Sequence, residues 1–231
     1  MRLPAFSRPR PRTVVLAVLA LFCLNILRYA VWPPVGGLAQ NNPETTAFIE
    51  YRQEEWEKKG RKKTVSRTWK PLRSISPELR KAVVVSEDST FWSHPGFDFA
   101  GMREAMERNI ARGRLAAGGS TITQQLAKNL YFSPGKSFIR KLQEALVAMR
   151  LEMNLPKERI LELYLNCVEW GDGIFGAEAA ARHYFGVSAS RLTAYQSATL
   201  AAMLPSPLKL SPSSRYVRKQ AGTIQARMRI E

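Results

Sequence analysis

Cysteine and histidine are scarce in this 231-residue chain, at two each. Cys23 lies inside an apolar run and Cys167 far downstream, which excludes a disulfide scaffold. His94 and His183 are too few for a His-rich metal site. Acids are few as well: 19 Asp and Glu face 35 Lys and Arg, and none occurs in the first 32 positions. A formal net charge of +16 calls for an anionic partner, nucleic acid being only one candidate. No H-E-x-x-H, C-x-x-C or G-x-S-x-G is present, so metal hydrolysis and serine hydrolysis find little support. Ser133-x-x-Lys136 lacks a following K-T-G, and Pro134-Gly135-Lys136-Ser137 lacks a phosphate loop's first glycine, because Leu130 stands there. No internal repeat is visible, and 45% hydrophobic residues are too many for a disordered chain.

What is present begins with one long apolar run. Arg2, Arg8, Arg10 and Arg12 precede Thr13–Trp32, which only Asn25 and Arg28 interrupt. Twenty helical residues span about 30 Å, the thickness of a bilayer core. Arg28 can snorkel to the interface beside Tyr29 and Trp32, and Pro33 and Pro34 end the helix. The reading is a basic cytoplasmic tail (1–12), a single transmembrane helix (13–32), a linker and juxtamembrane segment (33–75) and an exported domain (76–231). A cleaved signal peptide, with Gly37 and Ala39 before the cut, and a buried core helix are the weaker alternatives. Export makes nucleic acid a poor partner. The basic run Lys58, Lys59, Arg61, Lys62, Lys63 is either a solvated face or a contact for anionic headgroups.

Beyond the linker the signals are helical. A charged stretch over Thr45–Lys59 and a helix opened by Ser76 and Pro77 come first, then Phe99–Ile110 and a segment from the capping box Thr121-x-x-Gln124 toward Leu130. Ser137–Met153, Lys157–Asn166, Ala177–Tyr184 and Arg191–Leu204 follow. No run alternates at period two over a strand's length. The fold class expected is therefore mostly all-α, with at most a minor β element before Ser76.

Carboxylates and cations carry the remaining chemistry. Glu87-Asp88 emerges from the apolar helix Ala82–Val85 and precedes Phe91, Trp92 and His94. A carboxylate against apolar walls suits a general acid or base, and a helix-end surface acid is the plain alternative. Asp88 and His94 can instead form a structural hydrogen bond. Gly118-Gly119-Ser120-Thr121 before a helix is either an anion cradle or a capped turn. Gln125, Lys128 and Asn129 cluster on the next helix. On the helix from Ser137, periodicity puts the apolar stripe of Phe138, Leu142, Met149 and Met153 toward the core and Arg140, Lys141 and Glu144 opposite. That trio is either a surface ion cluster or a carboxylate held among cations beside an anionic ligand. Cys167 reads as a small buried hydrophobe.

Together these segments resemble the glycosyltransferase family that polymerises peptidoglycan from lipid II. Residues 87–98 fit its E-D-x-x-F-x-x-H-x-G-x-D, residues 118–129 its G-G-S-T-I-T-Q-Q-x-x-K-N, and Arg140, Lys141, Glu144 its R-K-x-x-E. Residues 157–166 fit K-x-x-I-L-E-x-Y-L-N, and 176–186 fit G-x-x-x-A-A-x-x-Y-F-G.

The resemblance implies a lysozyme-like lobe holding Glu87, and a smaller mobile lobe around residues 100–136 that touches the membrane. Without K-T-G, the chain looks like the monofunctional, membrane-anchored kind. It further implies Glu87 as general base and Glu144 as the second carboxylate. Ser120, Gln125, Lys128, Asn129, Lys136, Arg140 and Lys141 would bind substrate and pyrophosphate, with Asp88, Phe91, His94, Gly118 and Gly119 shaping the site. Lys136 stands where many relatives carry Arg. No cofactor is required, and a divalent cation (Mg or Mn) at Glu144 stays open. The expected partners are lipid II, the growing lipid-linked strand, the membrane and other cell-wall synthesis and division proteins, at the bacterial inner membrane with the domain periplasmic. A lytic glycosidase and a catalytically silent wall-synthesis scaffold are the rivals.

Overall fold

The computed structural model describes residues 10–111, 113, 119–135 and 137–230. Gly118 and Lys136, both named above as site residues, lie outside them.

Helix α1 (Pro11–Leu27) opens with proline in its first turn and buries none of its residues. With the 3-10 turn Arg28–Ala30 it makes a 20-residue apolar span, long enough to cross a membrane. Helical structure stops ahead of Pro33, two residues short of the expected end at Trp32 when the turn is included.

The stretch assigned to a linker packs on the domain. Helix α2 (Ala47–Lys58), capped by Thr46, buries Ile49, Arg52 and Trp56. Strand β1 (Ser66–Arg67) is the minor β element expected before Ser76. Arg52 holds Glu169 by two bonds, Nε to Oε1 at 3.0 Å and Nη2 to Oε2 at 2.7 Å. Asn166 pins residue 70 on both sides, accepting from its N–H and donating to its carbonyl at 2.8 Å. None of these partners is near in sequence, which is why the stretch reads as a linker.

Helix α3 (Pro77–Glu87) runs through the core with Leu79, Ala82, Val83 and Val85 buried. Three consecutive valines are indifferent helix formers, so tertiary burial carries this helix, at about 1.5–3 kcal/mol per buried side chain. Helix α4 (Phe99–Ala111) follows, then α5 (Ile122–Tyr131), whose Thr121–Gln124 capping box forms as expected. Next come α6 (Phe138–Asn154), α7 (Lys157–Cys167), strands β2 (Glu169–Gly171) and β3 (Ile174–Phe175), and α8 (Ala177–Phe185). Strand β3 pairs parallel with β1 and antiparallel with β2. Helix α9 (Ala194–Met203) starts three residues later than its sequence pattern, because Thr193 and Gln196 form a second capping box. Helix α10 (Arg215–Arg227), unmarked in the sequence reading, buries Val217, Ala221 and Ile224 against α9 and α3. Helix α5 packs on α6 and α7, and the bulkiest buried side chains are Trp170, Tyr164, Phe91 and Phe175.

One expectation is overturned. The core face of α6 is Glu144, Val147, Ala148 and Leu151, whereas Phe138 and Met153 are 79% and 80% exposed, with Leu142 and Met149 also outside. Periodicity located the apolar stripe correctly but assigned it to the wrong environment. A second apolar surface had been left out of account.

Candidate active site

Glu87 ends α3, where the chain turns out of helix at Asp88. Asp88 is buried and tied from both sides: Oδ1 lies 2.8 Å from His94 Nε2, and Oδ2 accepts the Ile122 N–H at 3.0 Å. His94 Nδ1 accepts the Gly96 N–H at 3.0 Å, so Nε2 carries the proton and donates to Asp88. Gly96 has φ +94°, and a Cβ there would sit 2.9 Å from Glu152 Cγ. Its carbonyl accepts from the Thr121 hydroxyl at 2.7 Å. The end of α3 and the start of α5 are thereby fixed to one turn, giving Asp88 and His94 the structural bond allowed for in the sequence. Phe91 is fully buried beneath this turn, with the Lys157 ammonium 4.5 Å from its ring centre.

Glu87 is set by a relay from the core. The Tyr164 hydroxyl donates to Gln125 Oε1 at 3.0 Å, and Gln125 Nε2 donates to Glu87 Oε2 at 2.8 Å. Burial pushes the Tyr164 phenol well above its ordinary range, so it remains a donor, and it orients the amide with its N–H toward Glu87. Burial also raises the Glu87 pKa, aided by the neighbouring Asp88 charge and opposed by Gln125 and Lys128. Tyr164 is the residue sequence reasoning missed. The signal was in hand, since it is the tyrosine of the motif at 157–166.

Glu144 is 2% exposed and accepts from Arg140 Nε at 2.8 Å, with Lys141 Nζ at 3.4 Å. Arg140 also donates to the Ser133 carbonyl at 2.9 Å, and Lys141 to Ser120 Oγ at 2.8 Å. Lys128 feels both carboxylates electrostatically, and its ammonium lies 5.8 Å from the Phe48 ring centre. Burial lowers its pKa, Glu144 and Glu87 raise it, and Arg140 and Lys141 lower it. The carboxylate of this trio is buried, while Arg140 is partly and Lys141 largely open to solvent. Asn129 is buried on α5 and makes no hydrogen bond to either carboxylate among the described residues.

A cleft of about 480 Å³ opens beside Glu87, lined by Asp88, Ser89, Thr90, Met102, Gly119 and Ser120 among others. A Cβ on Gly119 would come 3.4 Å from the Met102 backbone, so a small residue keeps α4 and the loop before α5 close. Ser120 belongs to both features, since it lines the cleft and holds Lys141. The site therefore joins Glu87, on the cleft, to the Arg140 and Lys141 pair about Glu144 through Ser120.

A helical lobe that sets a half-buried glutamate on a cleft, with cations tied to that cleft through Ser120, suits acid–base transfer chemistry with an anionic leaving group. The family model "Transglycosylase" matches residues 53–229. A protein of Aromatoleum aromaticum, named biosynthetic peptidoglycan transglycosylase, is 49% identical over 194 residues, 84% of this chain and 82% of its own. Proteins of the same name from Azoarcus sp. (48% identical, covering 85% of this chain and 86% of theirs) and Laribacter hongkongensis (46%, covering 93% and 94%) are similar. The chain belongs to the transglycosylase family.

Proposed function

We propose that this protein is a peptidoglycan glycosyltransferase that polymerises lipid II into β-1,4-linked glycan strands at the outer face of the bacterial inner membrane. The observation that carries the reading is the relayed Glu87 carboxylate on a cleft whose Ser120 is held by Lys141 of the cation cluster. In this reading Glu87 takes the proton of the acceptor GlcNAc 4-hydroxyl as that oxygen bonds to MurNAc C1. The C1–O bond to the pyrophosphate breaks on the opposite face, so the α-linked donor gives a β product and undecaprenyl pyrophosphate leaves. A general base contributes about 10²–10⁴-fold. Lys128, Arg140 and Lys141 neutralise the departing charge, and Ser120 adds a hydrogen-bonding hydroxyl. Gln125 acts through Glu87, by holding it.

Glu144 is engaged by Arg140 and Lys141, and in this reading it spaces and orients those cations.

Membrane attachment is part of the proposal. Besides α1, α4 exposes Phe99, Met102, Met106 and Ile110 at one-face spacing, and α6 exposes Phe138, Leu142, Met149 and Met153. Single-sided apolar patches of this size suit lipid better than water. The arginines before α1, with no acid beside them, favour a cytoplasmic N-terminus.

The test is to incubate the purified chain with labelled lipid II and resolve the products. Polymer that a muramidase cuts to disaccharide units, with one pyrophosphate carrier released per bond, is expected. Bound but unchanged lipid II would favour the scaffold, and shortening of preformed strands the lytic enzyme.

A further inference from the structure

Asn25 and Arg28 interrupt an otherwise apolar run, and the chemistry above leaves Asn25 without a task. An amide facing lipid is costly, and a helix that only tethers would be more stable with leucine there. In the folded chain Asn25 is engaged: Gln143 Nε2 donates to its Oδ1 at 2.7 Å and approaches its carbonyl at 3.4 Å. Gln143 is a buried residue of α6 and the immediate neighbour of Glu144.

Two further contacts fix the end of the anchor. Arg150, also on α6, donates to three carbonyls where α1 leaves the membrane: Pro33 and Val31 at 2.8 Å and Tyr29 at 3.3 Å. No helical N–H follows to take those carbonyls. The Tyr29 ring lies 5.2 Å from that of Phe132, at the end of α5. The anchor is therefore fastened to the two helices that carry Lys128, Arg140 and Lys141.

We propose that the Asn25–Gln143 pair and the Arg150 clamp are positioning elements that set the depth and tilt of the cation cluster relative to a lipid-borne pyrophosphate. A tether raises local concentration whatever its orientation. A bolted helix additionally sets the height of the site, which matters only when the leaving group sits at a fixed level in a bilayer. The proposal rests on the lipid-linked substrate of the preceding section.

The experiment uses the full chain in vesicles of phosphatidylethanolamine and phosphatidylglycerol carrying long-chain lipid II. The same variants are assayed in parallel on a short-chain, detergent-soluble analogue. Asn25→Leu and Gln143→Leu are each expected to lower kcat/KM in vesicles by about 3-fold or more, the scale of one hydrogen bond between membrane helices. The double variant should be no worse than the worse single one. Arg150→Gln, which cannot span three carbonyls, should lose at least about 10-fold if each lost charge-assisted bond has its usual strength. On the soluble analogue all should stay within about 2-fold of wild type. The exchanged pair Asn25→Gln with Gln143→Asn should recover most of the vesicle activity, which separates lost positioning from lost folding.

Wild-type rates in vesicles, additive losses, or equal losses on both substrates would each overturn the proposal. A wild type that polymerises neither substrate would instead overturn the functional reading, and this proposal with it.

Discussion

Tyr164→Phe removes one hydroxyl from a residue that touches no substrate, yet it is expected to move the pH profile of the enzyme. The phenol is fully buried, and its only hydrogen bond among the described residues is the one it donates to Gln125 Oε1 at 3.0 Å. Phe keeps the ring volume, so the packing cost is small. The Gln125 carbonyl is left in a dry place, at a cost of about 1–3 kcal/mol. Without its donor the amide is free to turn, and its N–H no longer has to face Glu87. That N–H is the larger of the two influences, with Lys128, that oppose the burial-driven rise in the Glu87 pKa. Losing it raises the pKa further. Because the base must be ionised, the acid limb of kcat/KM moves to higher pH, and activity at a fixed acidic pH falls by about ten-fold for each unit moved. Two measurements check this: the pH profile of transfer on labelled lipid II, and chemical denaturation at pH 7. An acid limb that stays in place or moves down would refute the relay, even with the expected loss of stability.

Lys128→Met should lower transfer by at least about ten-fold, the effect of one lost charge on a developing anion. Burial lowers the Lys128 pKa, so the folded state binds that proton less tightly than the unfolded one, and removing the charge should not lower the melting temperature at pH 7. A large fall in melting temperature would reassign Lys128 to structure. Arg52→Met leaves Glu169 buried without its two-bond partner and should cost about 3–5 kcal/mol in denaturant unfolding. A cost near zero would mean water reaches that pair. Asp88→Asn presents an NH₂ either to the Ile122 N–H or to the protonated His94 Nε2, and a tautomer change there would forfeit the Gly96 bond. About 1–3 kcal/mol of stability and part of the activity should go together; full stability by calorimetry would contradict the clamp.

Most helices were legible because local signals defined them. Ser76 with Pro77 and Thr121 with Gln124 announce α3 and α5, and α7 and α8 begin where their patterns do. The stretch from Thr45 to Ile75 was not legible as part of the domain, since Arg52, Arg67 and Lys70 find their partners about a hundred positions later. The α6 stripe misled for a different reason. Periodicity reports that one face is apolar and says nothing about whether protein or lipid covers it. At the site, motifs alone singled out Glu87, Lys128, Arg140 and Glu144, and the structure adds an order that no motif carries: Tyr164 holds Gln125, and Gln125 holds Glu87.

The most direct test of that order is a single-turnover assay of Glu87→Gln against wild type on labelled lipid II, with substrate binding measured on the same samples. Gln keeps the shape and can still accept from Gln125, but it cannot take a proton. Binding within a few-fold of wild type and transfer slowed by at least about 10² is the predicted result. Transfer at the wild-type rate would remove Glu87 from the chemistry and contradict the account.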